Sequence, residues 1–357
     1  MSSQGREATT PRGRFERAKP ETSGLTVAVT GPTGDIGRSL LAALEGTEEV
    51  GRVVGMARRP FDPAAHGWTK TEYRQGDILD KDSVRALVAD ADVVVHLAFL
   101  IFGSLAETQD VNLRGTRNVF EAAVEAGAQR LVYTSSVAAY GFRKGRTPRL
   151  TEDVVPEGTG DFPYSAQKAE LEALIRDVVG ASDTEAYIFR PCIVAGCDAL
   201  LLLDEVVRQF QLGGRTAVGR RLLGRVPLVR PVIPDNGVPF QLVHHDDVAT
   251  ALAAAIAGRG EPGIYNLAAE GELRMSDVAR AVGWWTLPVP DLAVDAASQV
   301  VNRLPFLPPG LSWLHALRVP SIMVTDKARD QLGWVPRHDA ADTLRQTVEC
   351  ARREGVV

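Results

Sequence analysis

The feature that most restricts how this chain can fold is a glycine-spaced loop, TGPTGDIG, which follows a β-branched run from Leu25 to Thr30 and opens a helical pattern. Gly31, Gly34 and Gly37 fall where a strand must turn at once into a helix, which asks for a tightly turned backbone that can approach a ligand closely. Such a turn carries amide groups and a helix N-terminus toward a pyrophosphate. The competing reading is a glycine-rich turn that binds nothing. Downstream the same rhythm repeats. Arg52 to Met56, Val93 to Leu97, Leu131 to Ser135 and Ala186 to Arg190 read as strands, and Gly37 to Leu44, Asp82 to Ala89, Leu113 to Ala126 and Tyr164 to Val179 as helices. Alternation of this kind predicts an α/β fold, a doubly wound parallel Rossmann sheet with a smaller C-terminal substrate lobe.

The predicted organisation is a disordered leader over 1–23 and a dinucleotide-binding domain over 24–190. About 240–269 and part of 320–350 rejoin that domain, and 191–239 with about 270–319 form the substrate lobe. The leader has almost no apolar residues to bury. Phe240 to Val248, Ala249 to Ala257 and Gly263 to Leu267 read as strand, helix and strand, whereas Leu200 to Gln211 reads as an apolar helix and Leu287 to Pro309 is proline-rich.

A formal charge of -5 with 24% charged residues gives no polyelectrolyte character, so nucleic acid is not an expected partner. The longest apolar run, Val93 to Phe102, is interrupted by His96 and too short to span a bilayer, so no membrane partner is expected. Cys192, Cys197 and Cys350 resemble neither a disulfide framework nor paired zinc ligands, which makes a reducing cytoplasm the expected location.

The end of the second strand separates two cofactors. NAD asks for an acid there, yet Ala57, Arg58 and Arg59 follow Met56, and guanidinium groups suit a 2′-phosphate. NADP(H) is therefore the preferred cofactor and NAD(H) the second candidate. The competing reading makes both arginines a solvated strand end. Asp77 and Ile78 are candidates to flank the adenine, with an Asx turn as the alternative for Asp77.

Tyr164 and Lys168 form YxxxK within a helical pattern, one turn apart on one face. Lowering a phenol from a pKa near 10 to about 7 takes roughly 4 kcal/mol of preferential phenolate stabilisation, which a lysine and a cationic nicotinamide can supply. Thr134, Ser135 and Ser136 end the strand before it, at the sheet edge where α/β folds bind ligands. Ser136 is the candidate to hold a substrate oxygen, with Thr134 and Ser135 as alternatives.

With these motifs in order the chain resembles the extended short-chain dehydrogenase/reductase family, of NAD(P)-dependent epimerase/dehydratase type. The likeness runs from about Leu25 to about Val348. It rests on TGPTGDIG, Asp77 with Ile78, His96-Leu97-Ala98, Asn112 in VNLRGT, SSVAAYG, YSAQK, RPCIVAG from Arg190 and HHDDVA from His244. The resemblance implies Ser136, Tyr164 and Lys168 as catalytic residues. It implies a cofactor site built from Gly31, Thr33, Gly34, Asp35, Ile36, Gly37, Arg58, Arg59, Asp77, Ile78, Leu97, Ala98, Asn112, Thr134, Pro191 and Ile193. It also implies a homodimer through the helices at Leu113 to Ala126 and Tyr164 to Val179.

Two departures bear on the substrate, which is an alcohol or ketone, or a sugar nucleotide. No Asn follows Arg190-Pro191 to face a substrate phosphate, and Ala57 with Arg58 replaces the acid that retains NAD. Arg215, Arg220, Arg221, Arg225 and Arg230 offer cations for a diphosphate, whereas Trp284, Trp285, Phe306, Leu307, Leu311, Trp313 and Leu314 offer a hydrophobic wall or ordinary packing. His244, His245, Asp246 and Asp247 look like metal ligands, but alternation along a strand is expected to separate them, and no metal is expected. The functional candidates are a ketone reductase using NADPH, a sugar-nucleotide epimerase with retained NAD, and a non-catalytic dinucleotide-sensing protein.

Overall fold

The computed structural model describes residues 24–143, 145, 147, 149–160, 162–200, 231–290 and 319–356. The expected leader, the helix expected from Leu200 to Gln211, the five arginines from Arg215 to Arg230 and the aromatic run from Phe306 to Leu314 lie outside the described residues.

Seven parallel strands form the central sheet: β1 (Leu25–Thr30), β2 (Val50–Ala57), β3 (Thr71–Gln75), β4 (Val93–His96), β5 (Arg130–Thr134), β7 (Glu185–Pro191) and β11 (Gly263–Leu267). Their spatial order is β11-β7-β5-β4-β1-β2-β3. The order reverses direction at β1 and β4, which are paired from Val27↔Val93 to Thr30↔His96, so their carboxyl ends flank the crevice where such sheets bind ligands. Along the chain, the short strand β6 (Arg149–Leu150) falls between β5 and β7 but lies outside this sheet.

Period-two alternation on the strands explains the two layers. Val27, Val29, Val93, Val95 and Val132 enter one core with Leu40, Leu41 and Leu44 of α1 (Gly37–Glu45). Ala28, Val94, Leu131 and Tyr133 enter the other, against α2 (Lys81–Val88), α4 (Thr116–Glu125) and α5 (Pro163–Val179). Each fully buried Val or Leu contributes roughly 1.5–3 kcal/mol, which ties every strand to both layers. Where the sequence predicts a helix from Leu113, the structure has a short α3 (Leu105–Thr108), π-helical turns over Gln109–Gly115 and then α4.

After β7 the chain adds β8 (Ile193–Ala195), β9 (Val232–Asp235) and β10 (Leu242–His244), and α6 (His245–Ile256) then covers the first core before β11 joins the sheet edge. The pairs β8–β10, β9 with β12 (Trp285–Pro288), and β6 with β13 (Ile322–Met323) stand apart from the main sheet. After α7 (Met275–Val282) and α8 (Asp326–Leu332), a small separate core joins Ala195 and Leu242 to Leu344 and Val348 of the C-terminal α9 (Ala340–Arg353).

One expectation fails here. Cys197, just after β8, and Cys350, in α9, form a disulfide with a Cα–Cα distance of 5.3 Å, leaving Cys192 free and buried. The pair is 153 positions apart, so no spacing rule announces it. Disulfides are rare in reducing compartments, and the premise for a cytoplasmic location is thereby lost. No helix among the described residues is long and apolar enough to cross a membrane. Denaturing the unreduced protein should expose one titratable thiol per chain, from Cys192, of the three cysteines present. Three thiols before reduction would contradict the pairing.

Candidate functional site

The glycine loop is built by close approach. Gly31 has φ +73°, and a Cβ on it would lie 2.7 Å from the Ala98 amide nitrogen. On Gly37 a Cβ would lie 2.6 Å from the Pro32 carbonyl oxygen. Neither position admits a side chain, so the loop stays folded tightly between β1 and α1. Gly34 differs, because it is exposed and only the Gly31 carbonyl comes as near as 3.5 Å to its Cβ position. Helix α1 starts at Gly37 with no side-chain cap and no acid in its first turn. The Arg38 amide bonds the Gly34 carbonyl at 3.4 Å, and the other first-turn amides carry partial positive charge beside open space at Gly34, an arrangement that fits a pyrophosphate.

Other positions fit a dinucleotide unevenly. Arg58 and Arg59 are exposed at the end of β2, and neither guanidinium is ion-paired among the described residues. Their backbone carbonyls are braced by Gln75 Nε2 at 2.9 Å and by the Tyr73 hydroxyl. Asp77 accepts from the Leu79 amide at 3.0 Å, the Asx-turn alternative. Ile78 is buried, and its carbonyl accepts from Asn118. Thr33, Asp35, Ile36, Leu97, Ala98 and Ile193 are half-buried around the crevice, and Pro191 is buried at the end of β7. Burial raises the Asp35 carboxyl, with His245 and Arg38 opposing. Thr134 Oγ1 is buried at the sheet edge without a hydrogen-bond partner, a polar atom left for a ligand. Asn112 is fully buried, and its amide group donates to the Leu100 carbonyl at 2.9 Å and to Gln167 Oε1 at 2.8 Å. Both amide hydrogens are thus engaged within the protein, and the residue braces the loop after β4 instead of presenting a donor to a cofactor.

The hydroxyl candidates separate cleanly. Ser135 donates to Glu172 Oε1 at 2.6 Å and so faces away from the crevice. Ser136 caps the 3₁₀ turn Val137–Tyr140, accepting from the Ala138 amide at 3.1 Å, and its hydroxyl lies near enough to the Tyr164 phenol to favour the phenolate. Tyr164 stands at the start of α5, half-buried between Phe99, edge-on at 5.5 Å, and Phe162 at 5.8 Å. One turn on, Lys168 donates to the Thr134 carbonyl at 2.9 Å. Its Nζ lies 3.8 Å from the centre of the Phe99 ring and 6.0 Å from that of Tyr164. Desolvation pushes Lys168 down to about 7, with the Glu172 carboxylate pulling the other way. Burial raises the Tyr164 phenol, and the nearby Ser136 hydroxyl only partly offsets this. In the protein alone, therefore, the phenol is not depressed as the sequence reading expects. The lowering that the sequence reading expects draws on a nicotinamide cation as well as on Lys168.

Sequence reasoning missed what holds this arrangement. Glu172 and Arg190 form a fully buried, two-pronged ion pair, Nη2–Oε2 2.6 Å and Nε–Oε1 2.9 Å. Arg190 also lies over the Tyr140 ring at 4.3 Å, and the Tyr140 hydroxyl donates to Asn266 Oδ1 at 2.8 Å. The signal was present, since Glu172 extends the Tyr164, Lys168 spacing by one further turn.

The histidine cluster also departs from expectation. Strand β10 ends at His244 and α6 begins at His245, so alternation does not apply and the two rings lie 4.2 Å apart. Ligand atoms of His244, His245 and Asp246 lie within 4.8 Å of one another. Yet His244 Nδ1 accepts from the Asp246 amide at 3.2 Å. His245 Nε2 accepts from the Asp198 amide at 3.2 Å, and its Nδ1 bonds the Ser39 hydroxyl at 2.6 Å. These contacts join α1, α6 and the loop after β8, and they leave His245 no lone pair for a metal.

Because Lys168 is depressed relative to the unfolded chain, its burial destabilises the fold fully below about pH 7 and less as pH rises toward the ordinary lysine value. Lys168→Met should therefore unfold at a higher urea concentration than the parent. The gap should be widest below about pH 7 and close toward pH 10. A gap that widens with rising pH would contradict this electrostatic picture.

The model of the NAD dependent epimerase/dehydratase family matches residues 27–268. A ceramide reductase of Caulobacter vibrioides is 30% identical over 324 residues, covering 87% of this chain and 86% of that one. The human 3 beta-hydroxysteroid dehydrogenase type 7 is 32% identical over 210 residues, covering 53% of this chain and only 56% of that enzyme's length. Among solved structures, a UDP-glucuronic acid 4-epimerase from Bacillus cereus in complex with NAD superposes with a TM-score of 0.68 at 17% identity, covering 92% of this chain and 99% of that one. With a seven-stranded Rossmann sheet and a family match across both halves of that sheet, the chain belongs to the NAD-dependent epimerase/dehydratase family of extended short-chain dehydrogenases/reductases.

Proposed function

We propose that this enzyme is an NADP(H)-dependent oxidoreductase that interconverts a secondary alcohol and a ketone, with Tyr164 as the proton donor and acceptor. The observation that carries the reading is the meeting of Tyr164, Ser136 and Lys168 at the carboxyl edge of the sheet, with the Lys168 ammonium held by the Thr134 carbonyl at 2.9 Å and 6.0 Å from the centre of the Tyr164 ring. A bound nicotinamide would supply or take up the hydride. Gly34, the open N-terminus of α1, Thr134 and Arg58 are the groups that would hold the dinucleotide.

The protein's own part is proton transfer and orientation. In reduction, the Ser136 hydroxyl donates a hydrogen bond to the carbonyl oxygen. Tyr164 gives that oxygen its phenolic proton as the hydride reaches the carbon, so the alcohol leaves neutral and the phenolate remains. Charge on Lys168 stabilises that phenolate until a proton returns from solvent, and oxidation runs the same steps backward. The raised phenol suits this order, because Tyr164 begins protonated and ready to donate.

Retained NAD with sugar-nucleotide epimerisation is the second reading, favoured by the likeness to an epimerase fold that holds NAD. The guanidinium groups of Arg58 and Arg59, without an ion pair among the described residues, favour the first. A homodimer through α4 and α5 completes the proposal, and light scattering showing only monomer at micromolar concentration would remove it.

Tyr164→Phe should lower kcat by about 10²- to 10⁴-fold, the span of general acid–base catalysis, while dinucleotide affinity stays within a factor of about two of the parent. If the substitution leaves activity intact while dinucleotide still binds, catalysis by Tyr164 is excluded and a sensing role gains. Arg58→Ala should weaken NADPH roughly ten- to a hundredfold, the worth of a charge-assisted hydrogen bond, and leave NADH unchanged. Equal loss for both cofactors would place Arg58 outside 2′-phosphate recognition.

A further inference from the structure

The catalytic tyrosine opens onto a cavity that the proton chemistry does not use. A space of about 290 Å³ lies between the loop after β4 and the first turn of α5, and its wall includes Leu100, Ile101, Phe102, Leu105, Phe162 and Tyr164. Specific ligand pockets run to roughly 300–1,000 Å³, so this one has room for the body of a small apolar ligand or for part of a larger one. Among the described residues, no charged side chain lines it.

The polar groups in the wall are already engaged. Ser104 Oγ donates to Glu107 at 2.8 Å, Thr108 Oγ1 donates to the Leu105 carbonyl at 3.0 Å, and Gln167 Oε1 accepts from Asn112 at 2.8 Å. Asn112 also clamps Leu100 at both its amide and its carbonyl, at 2.8 and 2.9 Å, so the wall is braced before any ligand arrives. Lys168 does not reach round to the cavity as a free cation, because the Thr134 carbonyl and the Phe99 ring hold it. A phosphate or a sugar placed here would exchange water for aliphatic and aromatic surface and lose its hydrogen bonds, which is costly. A hydrocarbon would gain from the same exchange.

We infer that this cavity is the substrate-body site and that it selects a lipid-like secondary alcohol or ketone without phosphate, whose oxygen meets Tyr164 and Ser136 while its hydrocarbon lies against Ile101 and Leu105. The inference rests on the oxidoreductase reading for the position of the reacting oxygen, but the occupant is argued from the wall that the described residues form. Leu105 is 55% exposed, so among the described residues the apolar wall of the cavity reaches the surface.

The test is equilibrium binding to the full chain with NADPH present, measured by calorimetry, for a 3-ketosteroid, a long-chain β-keto amide and UDP-glucose. Binding of either apolar ketone, weakened at least about tenfold by Ile101→Asp and by the rim variant Leu105→Glu but retained in Ile101→Leu, is the expected result, since one poorly matched group in such a pocket costs about that much. NADPH affinity should be the same in all three variants, which separates cavity damage from misfolding. Binding of UDP-glucose in preference to both ketones, binding of none of the three, or ketone binding indifferent to both acidic variants would overturn the inference. Turnover is read separately. A ketone that binds with the expected variant pattern but is not reduced, or is reduced equally by Tyr164→Phe, leaves the cavity assignment standing and removes the catalytic reading.

Discussion

The arrangement around Tyr164 depends on one buried ion pair. Glu172 and Arg190 are both fully buried and meet through two hydrogen bonds. Removing either partner would strand a charge in the core at a cost of about 3–5 kcal/mol, so α5 and the end of β7 are fixed to each other. Because Tyr164, Lys168 and Glu172 recur every turn on one helical face, locking Glu172 against β7 also sets the rotation of the helix about its axis. That rotation presents Tyr164 and Lys168 to the sheet edge. On the other side of the pair, Ser135 donates to Glu172 and Arg190 covers Tyr140. The short turn carrying Ser136 is therefore held by the same two charges.

A second set of contacts ties the far half of the chain to the dinucleotide crevice. Asp247 is fully buried at the start of α6, where it accepts from the Arg337 and His338 amides at 2.8 and 3.1 Å, and its carbonyl accepts from Trp334 Nε1 at 2.8 Å. His245 reaches Ser39 on α1, and Asp198 meets Arg38 at 3.3 Å. The helix that follows the glycine loop thus leans on residues from the last third of the sequence. The Cys197–Cys350 bond joins that same loop after β8 to the C-terminal helix. The residues of HHDDVA are used here as packing and capping groups between α1, α6 and the C-terminal segment.

What was legible in the sequence is what short-range pattern encodes. Alternating valines on β1 and β4 specify two buried faces and therefore a sheet covered on both sides. The glycines at 31 and 37 announce a turn without room for side chains, and the i, i+4 spacing of Tyr164 and Lys168 announces one helical face. Residues whose partners are distant in sequence were not legible. Ser135 and Ser136 look alike as text, and only the position of Glu172 decides that one faces the core and the other the crevice. Asn112 reads as a cofactor ligand by motif, yet the π-helical turns rotate it onto Leu100 and Gln167. His244 and His245 were read by strand alternation one residue beyond the end of the strand. The apolar cavity beside Tyr164 arises from two segments some sixty positions apart, and the YSAQK motif on one of them says nothing of the apolar wall it shares with Leu100 to Leu105.

The central claim is that the crevice holds an exchangeable, 2′-phosphorylated dinucleotide serving net reduction or oxidation. It is tested most directly by mass spectrometry of the small molecules released when freshly purified protein is denatured, followed by titration of the native protein with NADPH and NADH. Release of NADP(H), or an empty site that then takes up NADPH more tightly than NADH, is the expected result. Stoichiometric NAD that does not exchange would contradict it, because a cofactor regenerated within each cycle belongs to epimerisation or dehydration rather than to net redox turnover.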